Sequence, residues 1–172
     1  EHLMFLGSRH LGVGGIDDLS ARVGGSGATG STFPDVTPFH QAFPAAATEL
    51  MLWAEAEKLG FFIDDLRQPQ LEAERRVVLE EMASTVESKP FGREDEAVAQ
   101  GLFGKGHPYR FTVLGSRRDV ERATLAELQT YYRRFYTPSN AVLTVSGDID
   151  PVAVRRWIEQ YFGRIPAGPH LR

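Results

Sequence analysis

The chain has 172 residues and a mass of 19.1 kDa, with 42 % apolar and 24 % charged residues, which suits one globular domain with its own core. Its 19 basic and 23 acidic side chains leave a formal charge of −4, which argues against nucleic acid as the main partner, and no basic stripe opposes that. There is no cysteine, so disulfides and thiolate metal sites are excluded and any metal must be held by His and carboxylate; no apolar run nears the roughly 20 residues that span a bilayer.

The chain opens on Glu1-His2-Leu3-Met4-Phe5, with no initiator methionine and no charged and then apolar leader, which reads as the interior of a longer polypeptide. After the glycine-rich stretch 12–15, a short apolar periodicity predicts a helix over Ile16–Val23. Residues 24–32 are too small and flexible to pack a core, so they are a linker or a strand that something else must approach closely. Thr37–Phe43 reads as a strand, and Ala45–Phe61 as an amphipathic helix stopped by Gly60. Gln70 to about Val86 is a second helix, ended by Pro90, and Glu94–Phe103 a third. Thr124-Leu125-Ala126-Glu127 has the form of a capping box and opens a helix to about Tyr136. Asn140–Gly147 is the clearest strand, β-branched and bounded by turn residues, and Asp150-Pro151 starts a last helix that reaches Phe162. The residues after Gly163 have linker composition. These elements predict an α+β fold, with helices packed on a mainly antiparallel sheet.

The chemistry concentrates in Glu72-Ala73-Glu74-Arg75-Arg76-Val77-Val78-Leu79-Glu80-Glu81-Met82. At 3.6 residues per turn Glu74 and Glu81 share a face with Val77 and Val78 between them, and Glu80 points elsewhere. Carboxylates bracketing an apolar stripe need a cation, strong hydrogen bonds or a raised pKa if they are buried; if the stripe is only partly buried, both are simply hydrated. Glu1-His2 is the other candidate pair. Arg75 and Arg76 read as neutralising neighbouring acids, and Arg117, Arg118 and Arg122 as a solvated face. His10, His40, His107 and His170 read as structural or exposed.

Together these segments resemble the insulinase/pitrilysin (M16-type) family of zinc metallopeptidases, which includes the mitochondrial processing peptidases. Its mark is an inverted motif, His-x-x-Glu-His, with a further Glu some seventy-odd residues on. Glu1-His2 matches the end of that motif, followed by Leu3–Ser8, and Glu74–Glu81 matches the second segment. Leu50–Gly60, Gly106–Tyr109, Tyr136–Ala141 and Gly147-Asp148 extend the likeness, in the family's order, over nearly the whole chain. The resemblance implies an N-terminal catalytic domain over residues 1–165, truncated inside the motif, with residues 166–172 starting an interdomain linker.

It further implies Zn²⁺ held by His2 and Glu81, a third ligand, a His, three positions before Glu1 and outside this sequence, and a water in the fourth position activated by Glu1 as general base. Glu74 would orient a ligand or add negative charge. Gly27, Ala28, Thr29 and Gly30 would line a strand edge to which a peptide substrate adds its backbone, with Gly27 standing where family members commonly carry Asn. The implied function is an endopeptidase acting on peptides or unfolded segments, completed by a second half or partner subunit, so the isolated chain is expected to be nearly inactive. If the residue three before Glu1 is not His, the alternative is a non-catalytic structural subunit of the same family.

Overall fold

The computed structural model describes residues 1–8, 10–169 and 171. A 3₁₀ turn at His2–Phe5 leads through a tight loop to α1 (Gly15–Arg22), followed by a hairpin of two-residue strands, β1 (Thr29–Gly30) and β2 (Phe39–His40). Then come α2 (Thr48–Asp65), α3 (Gln68–Met82), α4 (Glu94–Leu102), α5 (Arg117–Arg122), α6 (Leu125–Phe135) and α7 (Pro151–Phe162). The chain is mostly helical, and the expectation of a mainly antiparallel sheet is wrong for the described residues, whose sheet has two strands. The physical reason is that a strand exists only when paired. The expected strand Asn140–Gly147 instead starts at the end of a 3₁₀ turn, Pro138–Asn140, and runs on with no backbone hydrogen bond from Val142–Ser146 to another described residue, leaving Val142 94 % exposed. In the predicted strand Thr37–Phe43, ladder pairing is confined to Thr29 opposite His40 and Gly30 opposite Phe39; Ser26 N–H reaches Ala42 O at 2.8 Å beyond a break.

α2 is apolar nearly all round and runs through the centre, burying Met51, Leu52, Ala54, Phe62 and Ile63 against α7, α6 and the His2–Phe5 turn. It does not stop at Gly60, as the sequence suggested, but continues to Asp65. Gly60 serves close packing instead: a β-carbon there would lie 2.8 Å from Ile165 Cγ1, so the glycine lets the segment after α7 lie against the helix. The core below the first turn is Met4, Phe62, Ile63, Leu66 and Tyr132. Tyr132 donates to the carbonyls of Lys58 (2.8 Å) and Leu59 (2.6 Å), and burial pushes its phenol up, so it stays a donor at ordinary pH.

α3 begins with Arg67 N–H donating to Gln70 Oε1 at 2.8 Å, and Pro69 is harmless there because its position lacks an intrahelical partner. It ends before Pro90, in a π turn over Ala83–Glu87 where the Thr85 hydroxyl donates to Glu81 O at 2.6 Å. α5 was not expected. Ser116 caps it by accepting from Asp119 N–H at 3.2 Å, and Arg117 bridges Glu87 and Glu121 on its exposed face. α6 opens as expected: Thr124 N–H and Thr124 Oγ1 donate to Glu127 Oε2 at 2.9 and 2.7 Å, and Glu127 N–H donates back to Thr124 Oγ1 at 3.3 Å. The hydroxyl and then the backbone bond hold the Glu127 carboxyl below its usual value. Thr124→Ala is expected to lower the melting temperature by about 2–4 °C at neutral pH. A carboxyl depressed in the folded state contributes above its unfolded pKa, so the deficit should shrink in melting curves as pH falls through the carboxylate range; a pH-independent deficit would count against the box.

Candidate functional site

The first turn is fixed from below. Met4, 4 % exposed, plugs into the core, and Met4 N–H donates to Glu1 O at 2.9 Å, which turns Glu1 and His2 toward α3. On α3, Glu74 and Glu81 lie two turns apart on one face, as the spacing required. His2 sits between them. Its Nδ1 is 3.4 Å from Glu74 Oε2 and its Nε2 is 3.4 Å from Glu81 Oε2, with His2 and Glu74 half-buried and Glu81 more open.

His2 and Glu74 border an open cavity of about 340 Å³, lined also by Glu1, Phe5, Leu6, Asp17 and the hairpin residues Ala28, Thr29 and Gly30, with Glu81 outside the lining. Gly30 permits the close approach: a β-carbon there would lie 3.1 Å from both the Phe39 and Phe5 rings and 3.2 Å from Glu1 Cγ. Gly27 lies outside the lining, next to Asp17. Below the floor, the buried Lys58 ammonium pairs with Glu55 at 2.7 Å and lies 5.2 and 5.8 Å from the Phe39 and Phe5 centroids. Burial, with Tyr131 and Glu1 nearby, pushes the phenol of Tyr136, which packs against Phe39, above its usual value.

Two residues here carried no signal in the sequence. Thr32 donates its hydroxyl to Glu1 Oε2, and Asp17 Oδ1 accepts from Ala28 N–H at 3.4 Å. Both come from segments far from Glu1 in sequence, Thr32 from the hairpin and Asp17 from the first turn of α1, so no local periodicity could point to them. The other histidines have different work. His10 Nδ1 and the Ser8 hydroxyl meet the buried Glu57 carboxylate at 2.7 and 3.0 Å, His40 Nε2 pairs with the Thr29 hydroxyl at 2.8 Å, and His107 stacks on Phe103. His170 lies outside the described residues.

Imidazole nitrogen and carboxylate oxygen are zinc donors, and two ligands about 2.1 Å from a tetrahedral ion stand about 3.4 Å apart. The Nε2 of His2 and Oε2 of Glu81 have that separation, while Glu74 faces the other ring nitrogen, where a ligating imidazole is commonly oriented by a carboxylate. The pair fits as two of the protein ligands of a zinc ion. No group of three His, Asp or Glu side chains among the described residues forms a complete metal site. Among the described residues no helix is long and apolar enough to cross a membrane.

Residues 122–172 match the family described as the peptidase M16 inactive domain. The zinc protease PqqE of Helicobacter pylori is 27 % identical over 162 residues, covering 94 % of this chain and 36 % of its own length. An uncharacterized zinc protease of Mycobacterium tuberculosis is 36 % identical over 93 residues, 54 % of this chain and 21 % of that protein. The crystal structure of a protease from Helicobacter pylori superposes with a TM-score of 0.91 at 26 % identity, covering 100 % of this chain and 40 % of that one. The chain thus spans somewhat over a third of the Helicobacter proteins it matches nearly end to end. The chain is thus similar along nearly its whole length to a zinc protease and over its last third to the peptidase M16 inactive domain, and these likenesses point to the M16 peptidase family.

Proposed function

We propose that this chain carries part of the catalytic site of a zinc endopeptidase that hydrolyses peptides or unfolded segments. The observation that carries this reading is His2 held between Glu81 and Glu74 beside Glu1, on a cavity whose far wall is a strand edge. His2 and Glu81 would hold the zinc together with a His three positions before Glu1, and Glu74 would orient the His2 ring. A zinc ion bound there supplies Lewis acidity toward the scissile carbonyl. The Glu1 carboxylate takes a proton from the attacking water and returns it to the leaving amine, and Thr32 steadies the carboxylate through its hydroxyl. Thr29 and Gly30 present backbone on the cavity wall to which an extended peptide adds as a strand. The greater length of the relatives supports a second half or partner subunit that closes the site.

The non-catalytic alternative draws on the word inactive in the matched family description. That match covers residues 122–172 and includes none of Glu1, His2, Glu74 or Glu81, so it bears on a different part of the chain. The decisive experiment is bound zinc and cleavage of a quenched fluorogenic peptide by the full-length protein and its Glu1→Gln variant. Glu1→Gln is expected to lower kcat/KM by about 10²–10⁴ with zinc content unchanged. A folded wild-type protein without zinc or cleavage would establish the structural-subunit reading instead.

A further inference from the structure

Arg75 was expected to neutralise neighbouring acids, but most of its hydrogen bonding goes elsewhere. Its side chain is 15 % exposed, and only Nη1 meets an acid, Glu72 Oε2 at 2.7 Å. Nε donates to Val120 O at 3.1 Å, and Nη2 donates to Ala123 O. Val120 lies in the last turn of α5 and Ala123 is its C-cap, so the guanidinium fork takes up carbonyls at the negative end of that helix. The bond crosses 45 residues of sequence and joins α3 to α5 at mid-helix.

The position of this peg matters because of what lies beside it. Glu74 precedes Arg75 by one residue and Glu81 follows it by six, so both carboxylates sit about 100–120° round the helix from Arg75 on the same side. A helix carries its side chains at a radius of about 5–6 Å, so a 20° roll of α3 would move both carboxylates by about 2 Å. That exceeds what contacts of 3.4 Å to the two nitrogens of His2 can absorb. We propose that Arg75 is a positioning residue: its fork on the end of α5 sets the roll of α3 and so keeps Glu74 and Glu81 opposite His2. The consequence for zinc rests on the proposed function; the setting of the helix does not.

The test uses the full-length protein with Arg75→Lys, Arg75→Met and Glu72→Gln, and reads two quantities. Zinc affinity is measured by chelator competition well below each variant's melting temperature, and amide exchange is followed in α3 with α2 as internal reference. Arg75→Lys keeps the charge and loses the fork, so it separates positioning from charge neutralisation. Both Arg75 variants should bind zinc about 10–100-fold more weakly, with Glu72→Gln within about threefold of wild type. Amides 74–82 should exchange about tenfold faster in both Arg75 variants with α2 unchanged. Wild-type zinc affinity in Arg75→Lys, or exchange accelerated equally in α2 and α3, overturns the proposal. If the wild type holds no zinc, the peptidase reading fails, and the α3 exchange alone then decides the role of Arg75: acceleration confined to α3 upholds it and unchanged rates refute it.

Discussion

Replacing Glu81 with glutamine is expected to weaken zinc binding by about 100-fold or more, a loss of at least about 2.7 kcal/mol, while the same change at Glu80 leaves affinity within about twofold. The substitution keeps size and helix propensity and removes only the charge, so the comparison isolates the carboxylate. Glu81 Oε2 stands 3.4 Å from His2 Nε2, whereas Glu80 is exposed and about 100° away round α3. Glu74→Gln should fall between them, at about 10–100-fold, because Glu74 meets the ring nitrogen that faces away from Glu81 and acts by holding the imidazole. Chelator competition on the three variants, with melting temperature as the control, gives the ranking. Equal losses at positions 80 and 81 would show that α3 presents a different face to His2.

The second large effect is structural. Gly7→Ala is expected to cost about 3 kcal/mol or more and to lower the melting temperature by about 10 °C, with Gly12→Ala costing no more than about half of that. Gly7 has φ +93° and is buried, and a β-carbon there would overlap the carbonyl oxygen of Gly12. Gly12 has φ +67° but open space around its missing β-carbon, so it bears the conformational term alone. The loop cannot yield to relieve Gly7, because Gly12 N–H is tied to Ser8 O at 2.7 Å and the Ser8 hydroxyl to the buried Glu57 carboxylate at 3.0 Å. That loop carries the turn bearing Glu1 and His2, so thermal melts of the two variants measure how rigidly the site is mounted. Similar melting temperatures would mean that the loop re-forms freely.

What was legible in the sequence was whatever depends on neighbours along the chain. The shared face of Glu74 and Glu81 followed from helical periodicity, and the caps at Thr124 and Asp150 from side chains that reach only two or three residues. The sheet failed for the complementary reason: β-branched residues at Ala141–Ser146 state a preference, but partners across the sheet decide whether a strand forms. Gly60 misled because an identical residue serves a helix stop or a close contact, and the choice was made by Ile165, far away in sequence. Thr32, Asp17 and the carbonyl partners of Arg75 are tertiary neighbours, out of reach of any local pattern.

The open run Val142–Ser146 has a consequence for how the chain behaves in a crowd. An apolar segment whose N–H and C=O groups have no backbone partner among the described residues offers a template on which a second copy of the same segment can add as a strand. Its adhesiveness grows with concentration and vanishes once a proper strand lies beside it. The residues best suited to completing a sheet are therefore also those through which unpaired chains would clump, and the clarity of solutions of this polypeptide reports whether that edge has been claimed.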